Sequence, residues 1–449
     1  MDIFDQATEL HKAKKLDEAE KLYDQLLTQN HNNVGLLATV GTLYLQQGKI
    51  GLAITLLEMS LKYGKDRPSD VLSNLGLAYR NSGQHDKCLE YLEESVHKHP
   101  SAQCLANYGG MFIESEEMHK CIDNSVKAIE IEPDLAIAHW NLGLCQLSEG
   151  KWDTAWDEYE WGLKCMRVDR KIGDAPYWDG THGKTIAVYG EQGLGDEIMF
   201  ASMLPDLMKT NTVILECHKR LKTLFEKSFP GVPCYGERES ENPTWPEHEP
   251  FDYRISIGSL GKFYRRSRAS FPGSPYLKAD PLPSGEKFRV GISWTGGQKL
   301  GRVQKRSVPL SWWETILNVP SVEFVSLQYT DSDEELDLMD TLGYSIKRPP
   351  EAKAEDYYET AMLVQSCDLV ISICTSVVHL AGALGVPCWV MTPEYPAWRY
   401  QNEGGMPWYR SVRLYRSPDT KKDAWIPVIQ RIGFDLDELL KSRKSERAA

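Results

Sequence analysis

No stretch of this chain approaches the roughly 18 consecutive apolar residues of a membrane-spanning helix. The opening Met1-Asp2-Ile3-Phe4-Asp5 has neither the basic stretch nor the apolar core of a secretion signal. Ten cysteines are scattered with no C-x-x-C pair and no Cys/His metal spacing, so they read as reduced thiols. A net charge of -13 leaves no basic excess to neutralise phosphates, which argues against general nucleic-acid binding. These absences point to a cytoplasmic protein. A G-x-G-x-x-G loop is missing, and no D-x-D pair is read between a strand and a loop of the sort that holds a divalent metal on a nucleotide diphosphate. What remains is ample: 449 residues, enough for two or three domains, 41% apolar and 26% charged, with thirteen Trp and twenty-one Tyr.

The first third repeats itself. Aligning on Ala7, Gly41, Gly76, Gly109 and Gly143 gives steps of 34, 35, 33 and 34 residues. Small residues recur where two helices would cross, and Tyr44, Tyr79 and Pro100 or Gly48, Gly83 and Gly150 recur around them. That period is similar to the tetratricopeptide repeat (TPR), and five copies are counted, to about residue 166. A helix pair cannot bury its apolar face alone, so neighbours stack into a solenoid whose concave face suits a peptide or protein partner. A spacer or a dimerisation element is the bland alternative.

From about residue 184 the pattern changes to strands alternating with helices. Strands are expected at 184–190, 212–217, 253–257, 288–294, 322–327, 368–373 and 387–391. The Pro- and Gly-rich stretch 270–286 reads as an interdomain linker. Two successive blocks imply two doubly wound sheets, with ligands at the carboxyl ends of the strands and the halves facing across a cleft. The expected division is a repeat array over 1–168, a first Rossmann-like half over 169–284 and a second over 285–449, closing on a C-terminal helix.

Two loops carry the chemistry. Gly190-Glu191-Gln192-Gly193-Leu194-Gly195-Asp196-Glu197 lies between an expected strand and a helix expected over 198–208. Its glycines let backbone N–H groups approach a ligand, and Asp196 would sit where the strand opens into a cleft. Cys374-Thr375-Ser376-Val377-Val378-His379 follows the run Asp368–Ile373; Thr375 and Ser376 suit an N-cap, leaving the N–H groups of 376–378 for an anion. His379 falls one turn inside, as a ligand or as a core histidine. Basic residues cluster at Lys299, Arg302, Lys305 and Arg306, with Arg306 best placed to point inward before a helix beginning at Ser311, and again at Lys262, Arg265, Arg266 and Arg268. An arginine that reaches a phosphate makes charge-assisted bonds. Trp398-Arg399-Tyr400 and Trp408-Tyr409 could stack on a base or sugar ring, or pack between the halves.

Gly193-x-Gly195-Asp196 with Pro205 and Leu207, Arg306-x-x-Pro309, and Asp368-Leu369-Val370-Ile371 with Thr375, His379, Leu380 and Gly382–Gly385 together resemble heptosyltransferase-type glycosyltransferases. Trp408-Tyr409 and Arg413-Leu414-Tyr415-Arg416 are similar to that group's terminal motif, and the chain as a whole resembles bacterial TPR proteins with such a domain at their C-terminus. The resemblance implies an α plus α/β chain, a TPR α-solenoid followed by a GT-B pair of Rossmann-like domains. It implies inverting transfer from a nucleotide-diphosphate sugar, with no cofactor and no metal. Asp196 matches the family's general base, Gly193, Gly195, Glu191 and Gln192 the acceptor-side loop, and Thr375, Ser376, Val377 and His379 the donor-phosphate loop. Arg306 stands at the phosphate-binding lysine position, with Lys305 and Arg399 beside the donor. The family carries Asp where this chain has Cys374, so the sugar need not be heptose and activity could be weakened. The expected partners are a nucleotide sugar and a protein or peptide on the repeat array. The alternative is an interaction scaffold with a degenerate, non-catalytic transferase domain. A dinucleotide oxidoreductase is disfavoured, since it would need the missing glycine loop and an acid on the second strand.

Overall fold

The computed structural model describes residues 2–296 and 307–448. They form two compact units, Met1–Cys145 and Gln146–Ala449.

The first unit is a helical array. In order come α1 (Ile3–Lys12), α2 (Leu16–Gln29), α3 (Val34–Gln46), α4 (Ile50–Tyr63), α5 (Ser69–Asn81), α6 (His85–Lys98), α7 (Ala102–Gly109), α8 (Met118–Ile131) and α9 (Ala136–Ser148). Local chemistry starts these helices. Asn33 accepts the Leu36 N–H at 3.0 Å and Ser101 that of Cys104 at 3.2 Å, satisfying donors that the first turn leaves open. Gly48 and Gly83, at φ of +74° and +81°, make the left-handed exit after the first helix of a pair. The aligned glycines are crossing points: a Cβ on Gly41 would lie 2.8 Å from Leu57 Cγ, and one on Gly76 would lie 2.7 Å from Leu92 Cγ. Both leucines are fully buried, each worth about 1.5–3 kcal/mol. At these two pairs the expected repeat pattern is therefore a packing rule, a glycine facing a leucine sixteen positions on, while Gly109 instead meets Asn124 and Cys121.

The second unit takes over at Gln146, in the last turn of α9, and its first whole helix is α10 (Trp152–Glu160). This helix completes the fifth repeat in sequence, yet its aromatic side pairs with rings of the second unit: Trp152 with Phe271 at 4.7 Å and Trp156 with Trp398 at 5.8 Å. The unit carries two wholly parallel sheets. One has strands β1 (Thr185–Tyr189), β2 (Thr212–Glu216), β3 (Cys234–Tyr235) and β4 (Tyr253–Ser256) in the order β3-β2-β1-β4. The other has β5 (Phe288–Ser293), β6 (Val322–Ser326), β7 (Ile346–Lys347), β8 (Leu369–Ile373), β9 (Cys388–Thr392) and β10 (Val412–Arg416) in the order β10-β9-β8-β5-β6-β7. β1 pairs in register with β2 through Ile186 and Val213, and β5 with β8 through Val290 and Leu369. Every residue of β8 is buried, as expected of a parallel strand covered on both faces. In the larger sheet strand order reverses between β5 and β8, the place where doubly wound sheets bind ligands.

Several expectations are corrected. Helix α11 starts at Leu194 and ends at Ala201, because Gly193 already takes the N-cap position, so Asp196 lies in its first turn rather than ahead of it. Strands β3, β7 and β10 lie outside the expected set; β3 and β7 are only two residues long, and β10 is formed by the terminal motif Arg413-Leu414-Tyr415-Arg416 with Val412. The stretch 270–286 is not a free linker: Phe271 and Leu277 are buried, and the Tyr276 and Leu277 N–H groups both donate to Ala383 O. The helix expected at Ser311 is a 3-10 turn, Leu310–Trp312, followed by one α-turn, Glu314–Leu317. The final helix, Trp425–Ala448, covers the larger sheet with Val428, Ile429, Ile432 and Leu436.

Candidate functional site

The glycine loop leaves β1 at Tyr189, and Gly190 N–H donates to Glu216 O at 2.7 Å. Glycine is required at 190 because a Cβ would run into the Glu197 carboxylate. Glu191 was expected to line the cleft loop; its carboxylate instead turns inward. It is fully buried and takes Arg167 Nη2 at 2.7 Å and Nε at 2.9 Å, with Ser256 Oγ donating at 2.6 Å. Gln192 is held at φ +60° while its Nε2 donates to the Tyr159 hydroxyl at 2.6 Å. Both contacts run to α10 or to the segment just after it.

Gly193 N–H donates to Asp196 Oδ2 at 3.3 Å, and Asp196 Oδ1 is ion-paired with Arg399. Gly195 is the point of closest approach to the second loop. A Cβ there would stand 3.0 Å from His379 Cδ2 and 3.2 Å from Ser376 Cα. Two helix N-termini, α11 and Ser376–Leu384, thus meet at Gly195, with Asp196 and Arg399 beside the contact. Glu197, which sequence reasoning had left without a role, is fully buried. It accepts the His218 N–H at 2.9 Å and Arg238 Nη1 at 2.6 Å. Burial still outweighs Arg238 and pushes its carboxyl up to about 7.

On the other side, Thr375 sits at the N-cap in extended conformation, but its hydroxyl does not cap the helix; it lies 3.2 Å from Ser372 Oγ. Ser376 Oγ accepts from the Tyr357 hydroxyl at 3.0 Å. Of the N–H groups expected free over 376–378, that of Val378 is taken by Thr375 O, and the Val377 side chain is buried. His379 is 3% exposed, and its Nδ1 lies 3.2 Å from the Tyr409 hydroxyl. Burial first, then Arg399, lowers it to about 3, so the ring is neutral at physiological pH. The end of β5 packs on this loop: a Cβ on Gly296 would be 2.8 Å from Thr375 Cγ2. Gln328, at the end of β6, holds that strand end by accepting the Trp294 and Thr295 N–H groups, each at 3.1 Å.

The remaining candidates divide. Lys299, Arg302, Lys305 and Arg306 lie outside the described residues. The second basic cluster is spent internally: Arg265 on Asp206 at 2.8 Å, Lys262 and Arg266 on Asp157, each at 3.1 Å, and Arg268 on Gly405 O at 3.0 Å. Trp398, Trp408 and Tyr409 are buried, and the two indoles are 6.2 Å apart, so they pack rather than present a stacking surface. Cys374 is buried, its Sγ 3.7 Å from Met391 O. A D-x-D sequence does follow β6, at Asp331-Ser332-Asp333, but Asp331 caps its own turn by accepting the Asp333 N–H at 3.4 Å. Among the described residues no group of three or more His, Cys, Asp or Glu side chains could hold a metal ion. No helix among them is long and apolar enough to cross a membrane.

Residues 70–102, which include the Gly76–Leu92 crossing, match the tetratricopeptide repeat model. The N-terminal region is thus a TPR array, followed by an α/β region of parallel sheets. The chain is similar to Protein FlbA of Caulobacter vibrioides, 26% identical over 88% of this chain and 78% of that protein. It is also similar to Tetratricopeptide repeat protein 8 of Caenorhabditis elegans, 28% identical over 31% of this chain and 28% of that protein. Among solved structures it is similar to YrrB, described as a TPR protein with an unusual peptide-binding site (18% identity, 36% of this chain, 84% of that chain, TM-score 0.28). MamA is another (22% identity, 36% of this chain, 94% of that chain, TM-score 0.30).

Proposed function

We propose that the second unit is a GT-B glycosyltransferase, transferring a sugar from a nucleotide-diphosphate donor to an acceptor that the TPR array recruits, a protein or a surface glycan. The observation that carries this is the meeting of α11 and the Ser376–Leu384 helix at Gly195, which sets Asp196 and Arg399 at the carboxyl ends of both sheets. The donor lies over the end of β5 and the 374–379 loop. The Ser376–Leu384 helix dipole, Arg399, Lys305 and Arg306 take up the charge on the leaving diphosphate, so no metal is called for. Arg399 is the group to move: it leaves Asp196 for the diphosphate as the donor binds and frees the carboxylate. Asp196 then removes the proton from an acceptor hydroxyl while that oxygen attacks the anomeric carbon. The bond from carbon to the diphosphate oxygen breaks, the configuration inverts, and the nucleoside diphosphate departs. Ten cysteines, all unpaired and nine of them buried, fit a reducing cytoplasm.

A second reading has its own support. Cys374 replaces an acid, and Asp196 is closed onto Arg399. Both fit a scaffold whose transferase domain has lost its chemistry.

The test is incubation of the full chain with UDP-, GDP-, ADP- and CMP-sugars, with hydrolysis or transfer followed by mass spectrometry. Asp196→Asn should lower turnover by about 10²–10⁴-fold with nucleotide binding retained. Wild-type turnover in that variant removes Asp196 from the mechanism; no binding to any nucleotide sugar favours the scaffold.

A further inference from the structure

Four non-glycine residues among the described ones have positive φ, and two of them lie in the loops that carry the Asp196–Arg399 pair. Gln192 precedes Asp196 at φ +60°, and Gln401 follows Arg399 at φ +58°. With ψ at +155°, Gln401 holds a conformation that is essentially glycine's alone. Glycine would adopt either backbone without strain. What glutamine adds is reach.

Both amides reach the same piece of chain, the last turn of α9 together with α10. Gln401 is 6% exposed, and its Nε2 donates to Leu147 O at 2.8 Å and to Trp398 O at 2.6 Å. The neighbouring Asn402 N–H donates to Ser148 O at 3.3 Å. Leu147 O and Ser148 O stand at a helix end, where carbonyls lack the usual partner one turn on. Gly150 keeps the turn close, since a Cβ there would stand 3.3 Å from Gln401 Oε1. Gln192 Nε2 donates to the Tyr159 hydroxyl at 2.6 Å. The Tyr159 ring in turn meets Trp398, the neighbour of Arg399, edge to face at 6.0 Å. Segment 147–159 thus touches the loop bearing the acid and the loop bearing its arginine. Strained residues persist where surrounding contacts over-determine them, and here those contacts run to this one segment.

The transfer step needs such fixed points. Arg399 has to swing from Asp196 to the diphosphate while its backbone stays in place, and Asp196 must not follow it. We propose that Gln192 and Gln401 are positioning residues through which segment 147–159 sets where Asp196 and Arg399 stand, an inference that rests on the transferase reading.

Gln192→Gly and Gln401→Gly keep the backbone shape and remove the reach, while Tyr159→Phe removes the acceptor of Gln192 and changes neither loop. Steady-state kinetics on the full chain use the sugar of the UDP-, GDP-, ADP- and CMP-sugar panel that the wild type turns over. Gln401→Gly should raise the donor KM at least about tenfold, because Arg399 meets the diphosphate. Gln192→Gly and Tyr159→Phe should each lower kcat at least about tenfold with donor KM within about twofold, because Asp196 acts on the acceptor. Wild-type KM in Gln401→Gly, or wild-type kcat in either of the others, overturns the proposal. Equal losses in both constants with lower melting temperatures also overturn it, as the mark of structural damage alone. Should one variant fail to fold, the other two carry the test. Hydrogen exchange read by mass spectrometry separates this from the transferase reading, because it needs no turnover. If the wild type neither binds nor turns over any of the sugars, that reading falls and exchange alone decides. Tyr159→Phe should then speed exchange in 190–197, and Gln401→Gly in 398–402, at least about tenfold beyond intrinsic rates. Unchanged exchange in those segments overturns the positioning.

Discussion

Arg167→Met tests the buried Arg167–Glu191 pair, along with the ion pair that Arg167 Nη1 makes with the part-exposed Glu160 at 3.1 Å. The Arg167 and Glu191 side chains are fully shielded from solvent. The guanidinium donates to both oxygens of Glu191 at 2.7–3.0 Å, to Ser256 Oγ at 3.0 Å, to Ser259 Oγ at 2.8 Å and to Tyr159 O at 3.2 Å. Methionine fills much of the space but leaves the carboxylate buried, with the Ser256 hydroxyl its one remaining donor among the described residues. Breaking a buried pair from one side costs about 3–5 kcal/mol. The second unit spans 304 residues, so its unfolding entropy is about 0.6 kcal/mol/K and the melting temperature should fall by about 5–8 °C. Tryptophan fluorescence is the assay, because of thirteen tryptophans only Trp140 precedes residue 146. The double variant Arg167→Met, Glu191→Leu should recover part of the loss, since the fully buried carboxylate is gone and only Glu160, 20% exposed in its side chain, is left without its cation. A drop below about 2 °C in the single variant, or a double variant worse than the single, would refute the reasoning.

Other expectations are as direct. Gly76→Ala should destabilise the array by about 1–3 kcal/mol, against the gain of about 0.5–1 kcal/mol that alanine brings to a helix interior, because its Cβ would meet Leu92 at 2.7 Å. Circular dichroism melts of the full chain read this, and a more stable variant would contradict the packing rule. Glu197, lifted by burial to about 7 from 4.5, favours the fold when protonated. Its contribution is complete below about pH 4.5 and is lost as pH rises through about 7, so Glu197→Gln should flatten the melting profile across that window. Parallel profiles for the two proteins would sink this assignment. Gly195→Val should push α11 from the Ser376–Leu384 helix and reduce any sugar transfer by at least about tenfold while the array's helical signal is kept, measured by transfer assay and circular dichroism.

The array was legible because its rule is local: a small residue (Ala7, Gly41, Gly76, Gly109, Gly143) recurs at steps of 33–35 residues, and no distant partner is needed to see it. The parallel strands were legible for the same reason, each a short apolar run. Asp196 could be singled out by its loop, but the partner that occupies it, Arg399, lies 203 residues away. Glu191 looked like a cleft residue because nothing nearby in sequence foretells Arg167 or Ser256. The cluster at 262–268 looked like a phosphate-binding patch for a related reason. Its countercharges, Asp157 and Asp206, come from other elements, and a cation's role is set by which acid reaches it first. His379 is balanced between ligand and core in the sequence; its surroundings, the Gly195 backbone, the Tyr400 ring and the Tyr409 hydroxyl, all come from elsewhere in the chain.

The position of α10 bears on how such chains can be recombined. Repeat proteins invite exchange of whole arrays, with a new recognition surface joined to an unchanged partner domain. Here the last repeat cannot travel with the others. A graft joined at residue 168 would carry off Trp156, whose indole N–H donates to Arg265 O at 2.8 Å, and Arg167 with it. The seam that leaves the α/β unit whole falls ahead of Gln146, inside a single helix, so a functional chimera must match helical phase there rather than repeat boundary.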